Sequence, residues 1–209
     1  MKNDYRLTDF CPKYENISQK KEMLKREILT VHPQQKNFYS IVSKKTNKYY
    51  KSFSEIFNKK CAYCGINTEI NSIRFFEIDH VVCESSFNDD KIKAGQLENL
   101  VFSCQYCNRK KSDFFIDEDY IELLHPENEI NRVFKRDEKF NIIISDDFID
   151  EKKIFEFYKK IDFENQSRRL DFLIMSLIGL IENAKDKDIK EKLRECKDLL
   201  IKKRNGVVL

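Results

Sequence analysis

Two cysteine pairs constrain this chain more than any other feature. Cys61-Ala62-Tyr63-Cys64 and Cys104-Gln105-Tyr106-Cys107 each place two thiols on one tight turn. Two such turns supply the four sulfur ligands of a tetrahedral zinc ion. The 39 residues between the pairs exceed the gap of a simple zinc ribbon, so a separate unit must loop out between the two knuckles. Four cysteines fill the shell and leave no position for water. The expected metal is therefore structural Zn2+, adding folding energy to a region with little apolar core of its own. Buried free thiols and a redox dithiol are the competing readings, although a dithiol more often occurs singly beside a βαβ pattern. Cys11 and Cys83 are left over, and Cys196 falls on an apolar helical face and reads as core.

Composition sets the compartment and the class. With 41% hydrophobic and 36% charged residues in 209, the chain is globular with a highly charged surface. No segment reaches the ~18 apolar residues of a membrane span. The longest apolar stretch, Leu170 to Ile181, is broken by Ser176 and Gly179, and Met1 to Phe10 shows no signal-peptide pattern. A cytoplasmic protein with no membrane partner is expected, and seven cysteines in a reducing compartment favour metal binding over disulfides. The net charge of +3 names no partner. Its distribution is more telling: Lys36 to Lys60 holds seven lysines and one glutamate, while Asp113 to Asp150 holds twelve acids and four bases. A basic flank beside an acidic one can seat a polyanion on one side; solvated helix faces are the plainer explanation.

Four glycines and three prolines leave few breakers, so long elements are expected. Ser18 to Leu29 has helical spacing, and a second helix is expected within Gln34 to Ser43. Ser52, with Glu55 three residues on, reads as the N-cap of a third. Phe75 to Val82 and Leu100 to Ser103 read as strands, Gln105 to Asp113 as a helix start, and Glu84 to Glu98 as a polar loop. One more strand is expected at Phe140 to Ile144. From Asp150 the pattern is helical, with apolar stripes at Leu170, Leu173, Ile174, Leu177, Ile178, Ile181 and at Ile189, Leu193, Cys196, Leu199, Leu200. These two form an expected helical hairpin.

Between the knuckles lies Glu77-Ile78-Asp79-His80-Val81-Val82, followed by Leu97-Glu98-Asn99-Leu100 and Cys107-Asn108-Arg109-Lys110-Lys111. Adjacent Asp and His on a strand point to opposite faces, so both reach one substrate only at a bend or strand end. The segments "EIDHVV" and "LENLVFSCQYCNRKKSD" resemble an HNH endonuclease with the ββα-metal fold, over roughly Lys60 to Asp113. His80, Asn99 and Asn108 match its three motif positions. The resemblance implies an α+β chain: a ββα-metal core with two zinc knuckles, N-terminal helices and a C-terminal helical hairpin. The expected segments are a helical stretch over 1–59, a nuclease core over 60–115, an acidic extension over 116–149 and a helical region over 150–209.

The resemblance also implies an activity, metal-dependent hydrolysis of a phosphodiester bond in nucleic acid, DNA favoured. His80 would act as general base. Asp79 and Asn108 would hold catalytic Mg2+ or Mn2+ through hard oxygens. Asn99 would brace the loop that orients the histidine. Arg109, Lys110 and Lys111 would grip backbone phosphates. Taken alone, each has a plainer reading: a structural histidine, turn or cap asparagines, a solvated basic helix face. Many relatives carry proline where Cys83 stands. Glu77 reads as a solvent-facing strand residue, and His32 and His125 as loop residues.

Tyr120 to Arg136, "YIELLHPENEINRVFKR", resembles PtuB-like HNH effectors of anti-phage systems (Septu and retron loci), which work beside an ATPase partner. Two other classes stay open. One is a non-catalytic zinc module binding nucleic acid through Phe38, Tyr39, Tyr49, Tyr50, Phe53 and Phe57 among the lysines, although such aromatics are more often core. The other is a subunit docking a partner on an exposed stripe of the C-terminal hairpin.

Overall fold

The computed structural model describes residues 4–206. Its helices are α1 (Ile17–Val31), α2 (Tyr39–Val42), α3 (Lys48–Ile56), α4 (Lys91–Ala94), α5 (Gln105–Lys111), α6 (Glu118–Leu124), α7 (Ile130–Val133), α8 (Lys152–Lys160), α9 (Gln166–Asn183) and α10 (Lys187–Asn205). Its strands are β1 (Phe76–His80), β2 (Leu100–Cys104), β3 (Phe134–Arg136) and β4 (Ile142–Ile144). The chain is α+β, as the resemblance implies.

α1 buries Ile17, Lys21, Leu24 and Ile28, one stripe at helical spacing, and packs on α3. Lys21 sits in that stripe because its ammonium is paired with Glu127 and donates to the Leu100 carbonyl at 2.6 Å. Of the second helix expected over Gln34 to Ser43, only the turn Tyr39–Val42 forms. Ser52 is not an N-cap: it lies inside α3, which is capped by Asn47, whose side chain accepts from the Tyr49 amide at 3.1 Å. An earlier cap wins because Tyr49, Tyr50, Phe53 and Ile56 all bury on one continuous helix.

β1 and β2 form an antiparallel hairpin in register from Phe76↔Cys104 to His80↔Leu100. The Phe76 and Phe102 rings stack across it at 4.9 Å. α5 follows β2 directly and packs on both strands, completing a ββα unit. The connection between the strands is not featureless: α4 lies in it, between two short 3-10 turns.

β3 and β4 make a second antiparallel pair, in register from Phe134↔Ile144 to Arg136↔Ile142. The strand expected from Phe140 is therefore two residues shorter, and Phe140 itself has a positive φ of 64°. Phe134, Phe157, Phe163 and Tyr5 join this pair and α8 to the N-terminal segment through edge and stacked ring contacts. Each such ring contributes roughly 1.5–3 kcal/mol by leaving water.

α9 and α10 pack as the expected hairpin, with Arg204 near the end of α10 paired to Asp171 near the start of α9 at 2.8 Å. α9 buries Leu170, Phe172, Ile174 and Met175, whereas α10 buries none of its residues. Cys196 is accordingly exposed and is not core. The main partner of α10 is α9, and Arg204 also donates to Asn71 at 2.9 Å. Among the described residues no helix is long and apolar enough to cross a membrane.

Candidate active site and metal centre

The two knuckles meet. The sulfurs of Cys61, Cys64, Cys104 and Cys107 all lie within 4.8 Å of one another, and all four residues are buried. The Cys64 and Cys104 sulfurs are 3.9 Å apart. A zinc–sulfur bond of ~2.3 Å in tetrahedral geometry requires sulfurs roughly 3.8 Å apart, so the quartet fits such an ion.

Local structure explains why the first knuckle holds its shape. Gly65 adopts φ +80°, and a Cβ there would lie 2.2 Å from the Arg6 carbonyl oxygen, so glycine is required. Carbonyls of the turn are taken by the N-terminal segment: Arg6 donates to Ala62 at 2.6 Å, Tyr14 to Cys61 at 2.9 Å, and Tyr5 to Tyr63. The buried Arg168 of α9 lies over the Tyr106 ring at 4.4 Å. Burial lowers the pKa of its guanidinium, but the charge of the cysteine sulfurs outweighs burial and holds it well above its ordinary value. No sequence pattern marked Arg168, since it belongs to a helix 61 residues beyond Cys107.

The knuckle also reaches the candidate catalytic residues. Tyr63, between the first two cysteines, donates to Asp79 Oδ2 at 2.9 Å. Lys111 Nζ lies 3.4 Å from Asp79 Oδ1 and donates to the His80 carbonyl at 2.8 Å. Burial pushes the Asp79 carboxyl up to about 6, against Lys111 and Tyr63, which pull it down. Lys111 is therefore not a phosphate-gripping residue of an exposed basic face. Its position three residues after Asn108 puts it on the side of α5 that packs on the hairpin, and 1% of it is exposed.

Glu77 and Asp79, two residues apart on β1, face α5 together. Glu77 is half-buried, not solvent-facing, and both of its oxygens are engaged: Gln105 and Asn108 amides each donate at 2.8 Å. The structure thus brings Asp79 to Lys111 and Asn108 to Glu77, and gives the two expected ligands different partners. The Asn108 Oδ1 makes no hydrogen bond among the described residues. Two carboxylates and an amide oxygen on one face fit a hard divalent ion in type, with waters completing its shell.

His80 is the last residue of β1, at the strand end that the sequence argument requires. Its imidazole is half-buried against the Tyr39 ring, centroids 4.3 Å apart. Burial, and secondarily Lys111, lower its pKa while Glu84 opposes them, so the ring is neutral near pH 7. Asn99 fixes the chain that leaves β1. Its side chain accepts from the Val82 amide at 2.9 Å and donates to Val82 and Ala94 carbonyls at 3.0 and 2.9 Å, while its carbonyl accepts from Val81 at 2.8 Å. Four hydrogen bonds from one residue lock the turn after His80.

Of the remaining basic residues, Lys110 pairs with Asp162 at 3.7 Å, and Arg109 is exposed with no ion pair among the described residues. Sequence reasoning missed Tyr63 and passed over the link from Lys111 to Asp79. It singled out Tyr39 only as one of six aromatics.

Residues 61–114, which span both knuckles, the hairpin and α5, match the family model described as HNH endonuclease. A stretch of 78 residues is 30% identical to "SPbeta prophage-derived putative HNH endonuclease YoqL" of Bacillus subtilis (strain 168). That match covers 36% of this chain and 33% of the relative, so the chain spans about a third of the length of the curated protein it matches. No solved structure matches the chain.

Proposed function

We propose that this chain is a metal-dependent endonuclease hydrolysing a phosphodiester bond in nucleic acid, with DNA the favoured substrate. The observation that carries this reading is the end of β1. There a neutral, half-buried His80 ends the strand that also carries Asp79 and Glu77, within the segment that matches the HNH endonuclease family model. His80 accepts a proton from the attacking water, and its depressed pKa keeps it ready to do so at neutral pH. Asp79, Glu77 and the Asn108 amide oxygen offer donors to Mg2+ or Mn2+. Such an ion, when bound, supplies Lewis-acid stabilisation of phosphate charge. Asn99 holds the turn, and the exposed Arg109 meets a backbone phosphate. The cysteine quartet holds structural Zn2+.

An effector role in anti-phage defence beside an ATPase is the finer part of this proposal and rests on the resemblance of Tyr120 to Arg136. Docking of a partner is favoured by one observation, the exposure of Ile189 (55%) and Leu199 (64%) on α10. The test uses supercoiled plasmid, single-stranded DNA and RNA, each with Mg2+ or Mn2+ and with chelator, beside His80→Ala. Metal-dependent nicking abolished by His80→Ala is expected; equal cutting by the variant refutes the assignment.

A further inference from the structure

We propose that Tyr39, which lies 22 residues before the first matched residue, is a positioning residue that holds the His80 imidazole in its working orientation through ring contact. The proposal rests on the reading of His80 as general base.

A general base is normally oriented by a hydrogen bond to its second ring nitrogen. The His80 imidazole makes no hydrogen bond among the described residues; the side-chain bond that reaches this residue, from Lys111, goes to its backbone carbonyl. Its orientation must then come from packing. The ring it packs on is that of Tyr39, at 4.3 Å between centroids and 38° between planes.

Tyr39 is itself fixed. Its amide donates to the Gly95 carbonyl at 3.1 Å, and its carbonyl accepts from the Ser43 hydroxyl at 2.6 Å. Phe38 on one side and Val42 one turn on are buried in the core. The segment before it is clipped to the same loop: Gln96 donates to the Lys36 carbonyl at 2.9 Å. Gly95 makes this approach possible, since a Cβ there would lie 2.2 Å from Asn37 Oδ1. That loop continues into Asn99, which grips Val82 just past His80. The histidine is thus held from behind by the Asn99 turn and across its face by α2.

The aromatic-and-lysine segment gives the same answer by sorting. Phe38, Tyr49, Tyr50, Phe53 and Phe57 are all buried. Tyr39 is the half-exposed member, and it is the one at the site. Its hydroxyl makes no hydrogen bond among the described residues, so the ring face carries the role. The functional unit accordingly begins upstream of residue 61.

The test compares Tyr39→Ala, Tyr39→Leu and Tyr39→Phe with the full chain and with His80→Ala. Tyr39→Ala is expected to lower kcat by about tenfold to a hundredfold with KM nearly unchanged, the cost of a misplaced reacting group. Tyr39→Phe keeps the ring and is expected to restore kcat. Tyr39→Leu keeps apolar volume for α2 without a flat face, and is expected to lose kcat while still folding. Proton NMR of the three histidines gives a readout independent of activity. The His80 ring protons are shifted by the Tyr39 ring current in the parent and in Tyr39→Phe, and lose that shift in Tyr39→Ala and Tyr39→Leu. Parental kcat in Tyr39→Ala or Tyr39→Leu with an inactive His80→Ala overturns this inference alone. A raised KM at parental kcat overturns it too, by making Tyr39 a substrate contact. An active His80→Ala overturns the nuclease reading beneath it.

Discussion

Lys111 reaches from α5 to within 3.4 Å of the Asp79 carboxylate, and both side chains are almost wholly out of solvent. A cation placed there does two things. It offsets a charge that burial would otherwise drive to protonate, and it ties α5 to the end of β1 through the His80 carbonyl. Removing one partner of a buried pair leaves the other uncompensated, whereas removing both is often close to neutral. Lys111→Met is therefore expected to lower unfolding free energy by about 3 kcal/mol. The double variant Lys111→Met with Asp79→Asn is expected to recover most of that loss. Urea unfolding of the parent, both single variants and the double variant closes the cycle. A Lys111→Met variant as stable as the parent would show that the pair does not hold the site.

The cysteine quartet and the proposed catalytic residues are linked through Tyr63, which sits inside the first knuckle and hydrogen-bonds Asp79. Loss of zinc is expected to unfold the region between the knuckles and with it the site. Purified protein should carry one zinc per chain by elemental analysis. Cys61→Ser with Cys64→Ser should lose zinc and native circular dichroism. A chelator that strips zinc should remove activity that added Mg2+ does not restore, while depletion of Mg2+ with zinc retained should be reversible. Full ellipticity in a zinc-free chain would end the structural-zinc reading.

The hairpin and α5 were legible because each has a local signature. Strand periodicity marks Phe76 to His80, and the cysteine spacing fixes where β2 stops and α5 starts. Asn99 and His80 could be singled out because each sits in a short local motif, Leu97 to Leu100 and Glu77 to Val82. Lys111 was misplaced because a run of Arg-Lys-Lys says nothing of which residue faces inward. The signal was nonetheless present: Gln105, Asn108 and Lys111 recur every three residues on one helical face, opposite Glu77 and Asp79 on one strand face. Tyr39 could not be sorted from its five buried neighbours, since its contact spans 41 positions and depends on how α2 docks on the Gly95 loop. Cys196 misled because α10 has an apolar stripe without enough partner surface to cover it.

His125, which the sequence reads as a loop residue, is buried at the end of α6 and should make the fold sensitive to acid. Its Nδ1 accepts from the Glu127 amide at 3.3 Å, which leaves the proton on Nε2, 3.2 Å from the Glu98 carbonyl. Burial first, and then the charge of Lys21, hold its pKa down to about 4, against the hydrogen bond to Glu98. The ordinary value near 6.5 applies in the unfolded chain, so the unfolded state binds the proton first. Stability from this group is thus complete above pH 6.5 and is lost as pH falls toward 4, to a total of roughly 3 kcal/mol. By pH 5 the loss should already be about 2 kcal/mol. His125→Gln cannot titrate in this range while keeping hydrogen-bonding groups at both positions. Urea unfolding at pH 7.5 and pH 5 should show a smaller pH-dependent loss in the variant by about that amount. Equal losses in the two proteins would mean that His125 takes up its proton without penalty in the folded state.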